Sequence, residues 1–190
     1  GVVAALVLLI SSLFACQEQA SSSIAYQAQI EAWQESRNTA MRDSSSWLSL
    51  AGLFWLEEGV STFGSDTNQT LVFPPSAPAF AGTFTLKDSI VSIEVAEGVK
   101  IKHQGQWIQD MPLRTDAQSE TSYLQMGSLS FYVIHRPEGW AIRVKDSQNP
   151  ALLAFEDIPN FPIDQQWQLS ARIDWYDSPR PIQIPTVLGS

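Results

Sequence analysis

The chain opens on an uncharged apolar run, Val2 to Ile10, followed by Ser11-Ser12-Leu13-Phe14-Ala15-Cys16 and then by the polar stretch Gln17 to Ser23. A membrane-spanning helix needs about 20 apolar residues. This run is too short for that and has the length of the hydrophobic region of a signal peptide. Next, Tyr26, Ile30, Trp33, Arg37 and Met41 recur at spacings of three and four. That period predicts an amphipathic helix from Ala25 to Arg42 whose stripe, Trp33 included, docks across the rest of the fold.

Beyond Asp43-Ser44-Ser45-Ser46 the period drops towards two. Trp47 to Ala51 alternates, which places Trp47 in the core, and Thr70 to Phe73 is stopped by Pro74-Pro75. Ala81 to Leu86 and Ile90 to Val95 flank Lys87-Asp88-Ser89, and Val99 to His103 ends at Gln104-Gly105 before Gln106-Trp107-Ile108. Tyr123 to Met126 turns at Gly127-Ser128 into Leu129 to Ile134, and Glu138-Gly139 leads into Trp140 to Val144. Short strands punctuated by Gly, Pro, Asp and Asn predict a mainly β fold, an antiparallel sandwich or barrel, with one N-terminal amphipathic helix. From Asn149 the texture changes: prolines stand at 150, 159, 162, 179, 181 and 185, with Phe155, Phe161, Trp167, Trp175 and Tyr176 between them. This predicts an ordered connector and then a strand near Trp167 to Tyr176. The expected organisation is a signal peptide over 1–15, a tether over 16–24, helix and β-sandwich over 25–148, and over 149–190 a connector with the start of a second, truncated β portion.

Composition narrows the functions. With 44% hydrophobic residues the 190-residue chain has the apolar content that disordered chains lack. Its net charge of −9 opposes sequence-neutral nucleic-acid binding, which relies on Lys and Arg displacing counterions from phosphates. The one cysteine follows Leu13-Phe14-Ala15, an arrangement that resembles the lipobox of bacterial lipoproteins. The resemblance implies that Cys16 is acylated and becomes the new N-terminus, so the expected location is the bacterial cell envelope, periplasmic or outer-surface face. No thiol then remains for a disulfide, a metal cage or a nucleophile.

Trp47-Leu48-Ser49-Leu50-Ala51-Gly52-Leu53-Phe54-Trp55-Leu56, with Gly59 and Thr62-Phe63-Gly64-Ser65-Asp66, resembles a bacterial family known as the domain of unknown function numbered sixteen eighty-four. Ala81 to Phe84, Gly127 to Ile134, Arg143 to Asp146, Phe161 to Asp164, Ala171-Arg172 and Ile184 to Gly189 extend the match. The family is uncharacterised, so this resemblance implies an architecture and no activity. A weaker resemblance lies within residues 59–108, where Gly59 to Asp66 and Leu71 to Pro74 look like the opening of a forkhead-associated (FHA) β-sandwich. That family holds phosphothreonine peptides with a Gly-Arg pair and a later Ser-x-x-His. Here Ser65 follows Gly64, and Ser76 to Phe80 contains no histidine. A dianionic phosphate would lack its bidentate guanidinium partner, so the resemblance implies sandwich shape and argues against phosphopeptide binding.

The remaining chemistry is sparse. His103 and His135 sit at strand ends, without the spacing of a zinc site. Gly127-Ser128-Leu129-Ser130 fails as a nucleophile elbow at its last position. No phosphate-cradling or dinucleotide glycine motif occurs, and neither cofactor nor metal is expected. Glu57-Glu58, Asp66, Asp110, Asp116, Asp146 and Asp157 fall on predicted turns. They read as solvated turn residues before they read as a glycosidase pair. Arg143-Val144-Lys145-Asp146 is more informative, because alternation puts Arg143 and Lys145 on one face of a strand and Val144 on the other. Such a pair could hold an anion, or make structural pairs with neighbouring acids. Trp55, Trp107 and Trp140 flank turns and offer stacking faces. The candidate ligand-binding residues are Arg143, Lys145, Asp146, Trp55 and Trp140. The resulting expectation is a lipid-anchored, non-catalytic β-domain that binds an envelope ligand or partner. The alternatives are a hydrolase completed by a further C-terminal part, and a structural scaffold marked by the lack of a well-formed polar pocket.

Overall fold

A computed structural model describes residues 24–179, 181 and 182. Cys16, the apolar run before it and most of the tether lie outside the described residues. The chain divides into two compact units, one spanning Trp33–Pro159, the other comprising Gly1–Ala32 and Asn160–Ser190. Residues 24–42 are helical (α1). No helix among the described residues is long and apolar enough to cross a membrane.

The Trp33–Pro159 unit is a β-sandwich. Its strands are β1 (Leu50–Trp55), β2 (Gly59–Gly64), β3 (Leu71–Val72), β4 (Gly82–Lys87), β5 (Ile90–Val95), β6 (Ile101–His103), β7 (Gln106–Ile108), β8 (Asp110–Leu113), β9 (Leu124–Met126), β10 (Leu129–Arg136) and β11 (Gly139–Asp146). They form a six-stranded sheet in the order β1-β11-β10-β9-β6-β7 and a five-stranded sheet in the order β3-β2-β4-β5-β8. Pairing is antiparallel except between β2 and β3. Tight turns fix the registers. Asp88 and Ser89 have φ of 49° and 66°, and Gln104 and Gly105 have 48° and 80°. Positive φ at both central residues matches the right-handed twist of a two-residue hairpin.

Alternation then fills the interior. Phe131, Val133, Ile142 and Val144 from the six-stranded sheet meet Phe63, Phe84, Val91 and Ile93 from the five-stranded one in a single core. Phe131 sits among Phe63, Phe73 and Phe84 at ring-centroid distances of 6.1, 5.6 and 6.2 Å. A pair of mainly antiparallel sheets around one core, with one N-terminal helix, is the fold class the sequence predicted.

Three local expectations are corrected. The buried side of α1 within this unit runs through Gln34, Asn38 and Met41, whereas Trp33 is 53% exposed beneath the Arg37 guanidinium at 4.8 Å. The helix is rotated because a polar lock holds it. The Asn38 amide donates to Asp157 Oδ1 at 2.8 Å, its carbonyl accepts from the Ile158 N–H at 3.0 Å, and Arg42 donates to Asp157 and to the Glu156 carbonyl. Second, Trp47 is 73% exposed, not in the core. Trp47–Ser49 is a 3-10 turn, and the register shifts between Leu50 and Gly52, which breaks the alternation read from the sequence. Third, no strand forms over Trp167 to Tyr176: a 3-10 turn at Gln165–Trp167 is followed by chain that joins no ladder among the described residues. β-propensity there has no neighbouring strand to pack against. A short helix α2 (Pro150–Leu153) also replaces part of the expected connector. The Asn149 side chain accepts from the Ala151 N–H at its start, and Pro150 occupies the first turn.

Candidate functional site

The outer surface of the six-stranded sheet gathers the chemistry. Ile142 and Val144 of β11 point into the core, so Arg143 and Lys145 point out, as alternation predicts. Register aligns Leu53, Arg143 and Tyr132 in one cross-strand row, and Leu50, Lys145, Ser130, Gln125, Lys102 and Trp107 in the next. The Tyr123 ring packs on Tyr132 with centroids 4.9 Å apart. Trp107 is exposed, with Lys102 Nζ 4.4 Å and Lys100 Nζ 5.9 Å from its ring centroid, distances at which a cation is drawn to an aromatic face.

The outer face of the six-stranded sheet is of one sign. The strand positions facing out of the six-stranded sheet include Lys102, Arg136, Arg143 and Lys145 and no acid. Among the described residues only Arg136 of these is in an ion pair, to Asp116 at 2.7 Å. Burial pushes the Asp116 carboxyl up, but hydrogen bonds from the Arg136 guanidinium and the His135 N–H outweigh it and hold the pKa below the ordinary value. The five-stranded sheet instead turns out mainly hydroxyls, with Thr62, Thr83, Glu94 and Asp110 in one row and Lys87 at the end of β4.

Where the turn before β1 overhangs β10 and β11 lies a cleft of about 270 Å³ lined by Ser45, Ser46, Trp47, Leu50, Tyr132, Arg143 and Lys145. Lys145 Nζ donates to the Ser45 carbonyl. Arg143 is half-buried and makes no hydrogen bond or ion pair with another described residue, although the charge of Asp116 reaches it. The Ser46 hydroxyl is buried without a partner. The nearby Asp43 is engaged, accepting from Ser45 Oγ at 2.5 Å and from the Ser45 N–H at 2.7 Å. Those two bonds hold its pKa below the ordinary value. Every polar side chain of the cleft can therefore donate, and none carries negative charge.

Of the residues singled out in the sequence, Arg143, Lys145 and Trp55 share this outer face, Trp55 standing opposite Ala141. Asp146 and Trp140 do not. Asp146 is buried at the end of β11, accepting from Ser76 Oγ at 3.0 Å and from the Gln148 N–H at 2.9 Å. Trp140 packs on the core and stacks on His135 at 4.4 Å, beside a separate cleft of about 460 Å³. Among the described residues no group of three or more His, Cys, Asp or Glu side chains comes together as a metal site would. In the FHA-like stretch, Ser65 Oγ donates to the Ala77 carbonyl at 2.8 Å, so both loop hydroxyls, Ser65 and Ser76, are engaged within the fold. Tyr132, Ser46 and Lys102 were not singled out from sequence. For Tyr132 the signal was the cross-strand register set by the two-residue turn at 137–138, for Lys102 the register of β6 with β7 across Gln104-Gly105, and Ser46 comes with the turn before β1.

No family model matches the chain, and no curated protein matches it by sequence. Similarity to solved structures covers about half of it. The FHA domain of FhaA, solved in complex with the intracellular domain of Rv3910, is 11% identical, over 48% of this chain and 86% of that one, at a TM-score of 0.34. The Slr1951 protein from Synechocystis sp. is 12% identical, over 48% and 80%, at 0.33. The FHA-1 domain of Mycobacterium tuberculosis Rv1747 is 7% identical, over 52% and 97%, at 0.32. These are weak likenesses of fold. Neither a family model nor a curated sequence supports the resemblance to family sixteen eighty-four.

Proposed function

We propose that this chain is a non-catalytic binding domain, exported and held at the bacterial cell envelope by acylated Cys16, and that its binding face is the outer surface of the six-stranded sheet. The observation that carries the reading is the sidedness of charge. A chain of net charge −9 keeps Lys102, Arg143 and Lys145 on one sheet face without an ion pair to any described acid, among exposed Trp47, Leu53, Trp55, Trp107 and Tyr123. Exposed aromatics interleaved with cations are the composition of recognition surfaces, and an unopposed patch of one sign steers partners of the other.

Two measurements test it. Full-length protein immobilised with the sheet face free is expected to retain an anionic envelope component, a glycan, lipid or protein. The double variant Leu53→Glu/Trp107→Ser should lose at least about tenfold of that retention, since loss of anchoring contacts typically exceeds 1.4 kcal/mol. Thr85→Lys on the opposite sheet should retain it. Equal retention by all three proteins would remove the face from consideration. For the anchor, Cys16→Ser is expected to move the protein from the membrane to the soluble fraction and abolish fatty-acid labelling, because stable attachment depends on more than one acyl chain. Membrane partition unchanged by the substitution would contradict it.

A further inference from the structure

We infer that the cleft over β10 and β11 is an oxyanion site: it takes a phosphate or carboxylate group carried on an apolar or ring-bearing body. The inference rests on the binding-face reading and names the ligand class for one part of that face.

Arg143 is the centre of the argument. A guanidinium removed in part from water loses hydration, and the loss is compensated only by a hydrogen-bonded counter-charge. The chain has 20 acidic residues, yet none of the described ones bonds to Arg143. The nearest acids are held elsewhere, Asp116 by Arg136 and Asp43 by Ser45. The Arg143 fork is thus free for a bidentate contact of the kind that planar carboxylates and phosphates make. Around it are Lys145, whose ammonium gives one of its three donors to the Ser45 carbonyl, the Tyr132 hydroxyl, and the buried Ser46 hydroxyl that lacks a partner. The charged side chains that line the cleft, Arg143 and Lys145, are both cations, while Asp116 and Asp43 act on them from outside the lining. The cleft is also larger than a bare ion requires, and Leu50 and the exposed Trp47 ring form an apolar wall. At about 270 Å³ the space is just under the range of about 300–1,000 Å³ typical of small-molecule sites. One anionic head with a short body fits that size.

A phosphate head could come from a lipid or from a free small molecule, and the experiment separates the two. The full chain carrying Cys16→Ser is titrated with inorganic phosphate, phenyl phosphate and acetate, following tryptophan fluorescence and the arginine side-chain NMR signals. Saturable binding is expected, with phenyl phosphate tighter than phosphate. Arg143→Gln should weaken both by roughly tenfold or more, and Arg143→Lys, which keeps the charge and loses the fork, by less. Trp47→Ala should erase the preference for phenyl phosphate while leaving inorganic phosphate unaffected. Arg114→Gln, which removes an exposed cation paired with Glu120, should change nothing. Phosphatidylglycerol vesicles that bind the protein and are displaced by phenyl phosphate would assign the head to a lipid; phenyl phosphate binding without vesicle binding would assign it to a free anion. Wild-type protein that ignores all three anions at millimolar concentration, or Arg143→Gln that binds them as well as wild type, overturns the inference. If the Leu53→Glu/Trp107→Ser variant still loses its envelope component in that event, the binding face stands and only the cleft assignment falls.

Discussion

Phe131→Ala is expected to destabilise the sandwich by about 3–5 kcal/mol, the range for deleting a buried aromatic ring. Phe131 is fully buried on β10 and touches Phe63 and Phe84 of the facing sheet as well as Phe73 after β3. Its neighbours are fixed by the ladders of two separate sheets, so they cannot both move in to refill the space, and the cavity term adds to the lost transfer term. A domain of ordinary stability has about 5–15 kcal/mol in total, and the variant would sit near the edge of folding. Urea denaturation followed by far-UV circular dichroism checks this: the midpoint should fall steeply with little change in slope. Phe131→Leu, which keeps most of the volume, should cost less than half as much. A Phe131→Ala protein within about 1 kcal/mol of wild type would mean that the two sheets do not share one core.

Sequence and fold agree where the physics is local. The hairpins at Lys87-Asp88-Ser89, Gln104-Gly105 and Gly127-Ser128 were readable because turn residues interrupt period-two apolar runs. They diverge where a distant residue decides. Asn38 lies outside the stripe that the helical period picks out, but Asp157 and Ile158, about 120 positions away, give its amide partners and turn that face inward. Trp47 belongs to an alternating run, yet the register shift at Leu50/Gly52 leaves it outside the ladder. Leu169, Ile173 and Trp175 carry strand-like residues, and without a ladder beside them they stay exposed.

The candidate site divides along the same line. Alternation within one strand placed Arg143 and Lys145 on the same face, and the structure keeps them there. It could not supply Tyr132 or Ser130, which reach that face through the pairing of β10 with β11, nor Ser46, which arrives with the turn that overhangs them. Nor could it show that the acids nearest in space are already bonded to other groups. Asp146 is the instructive case. It follows Lys145 directly, so sequence grouped it with the cations, but the period of two sends it to the interior end of the sandwich.

That position makes Asp146 the second residue whose loss should be costly. Its carboxylate ties together three separate segments: Ser76 in the loop after β3, Ser128 in the turn between β9 and β10, and the Gln148 N–H at the approach to α2. Burial pushes its pKa up, but the hydrogen bonds from Gln148, Ser128 and Ser76 outweigh burial and hold it below the ordinary 3.8. Asp146→Ala strands the Gln148 N–H and removes the acceptor of two hydroxyls, for an expected loss of about 2–4 kcal/mol. The sign of the pH dependence follows from the lowered value. The contribution of the charged carboxylate is complete above the unfolded-state pKa and is lost as pH falls through that value towards the folded one. Wild-type stability in urea should therefore decline from about pH 5 downwards. Asp146→Asn should be weaker than wild type at pH 7, with a gap that narrows on acidification; Asp116 and Asp43, which are shifted in the same direction, contribute to the slope left in the variant. A gap that is the same at pH 7 and pH 3.5 would show that the variant loses packing or shape, not the charge that these three donors hold.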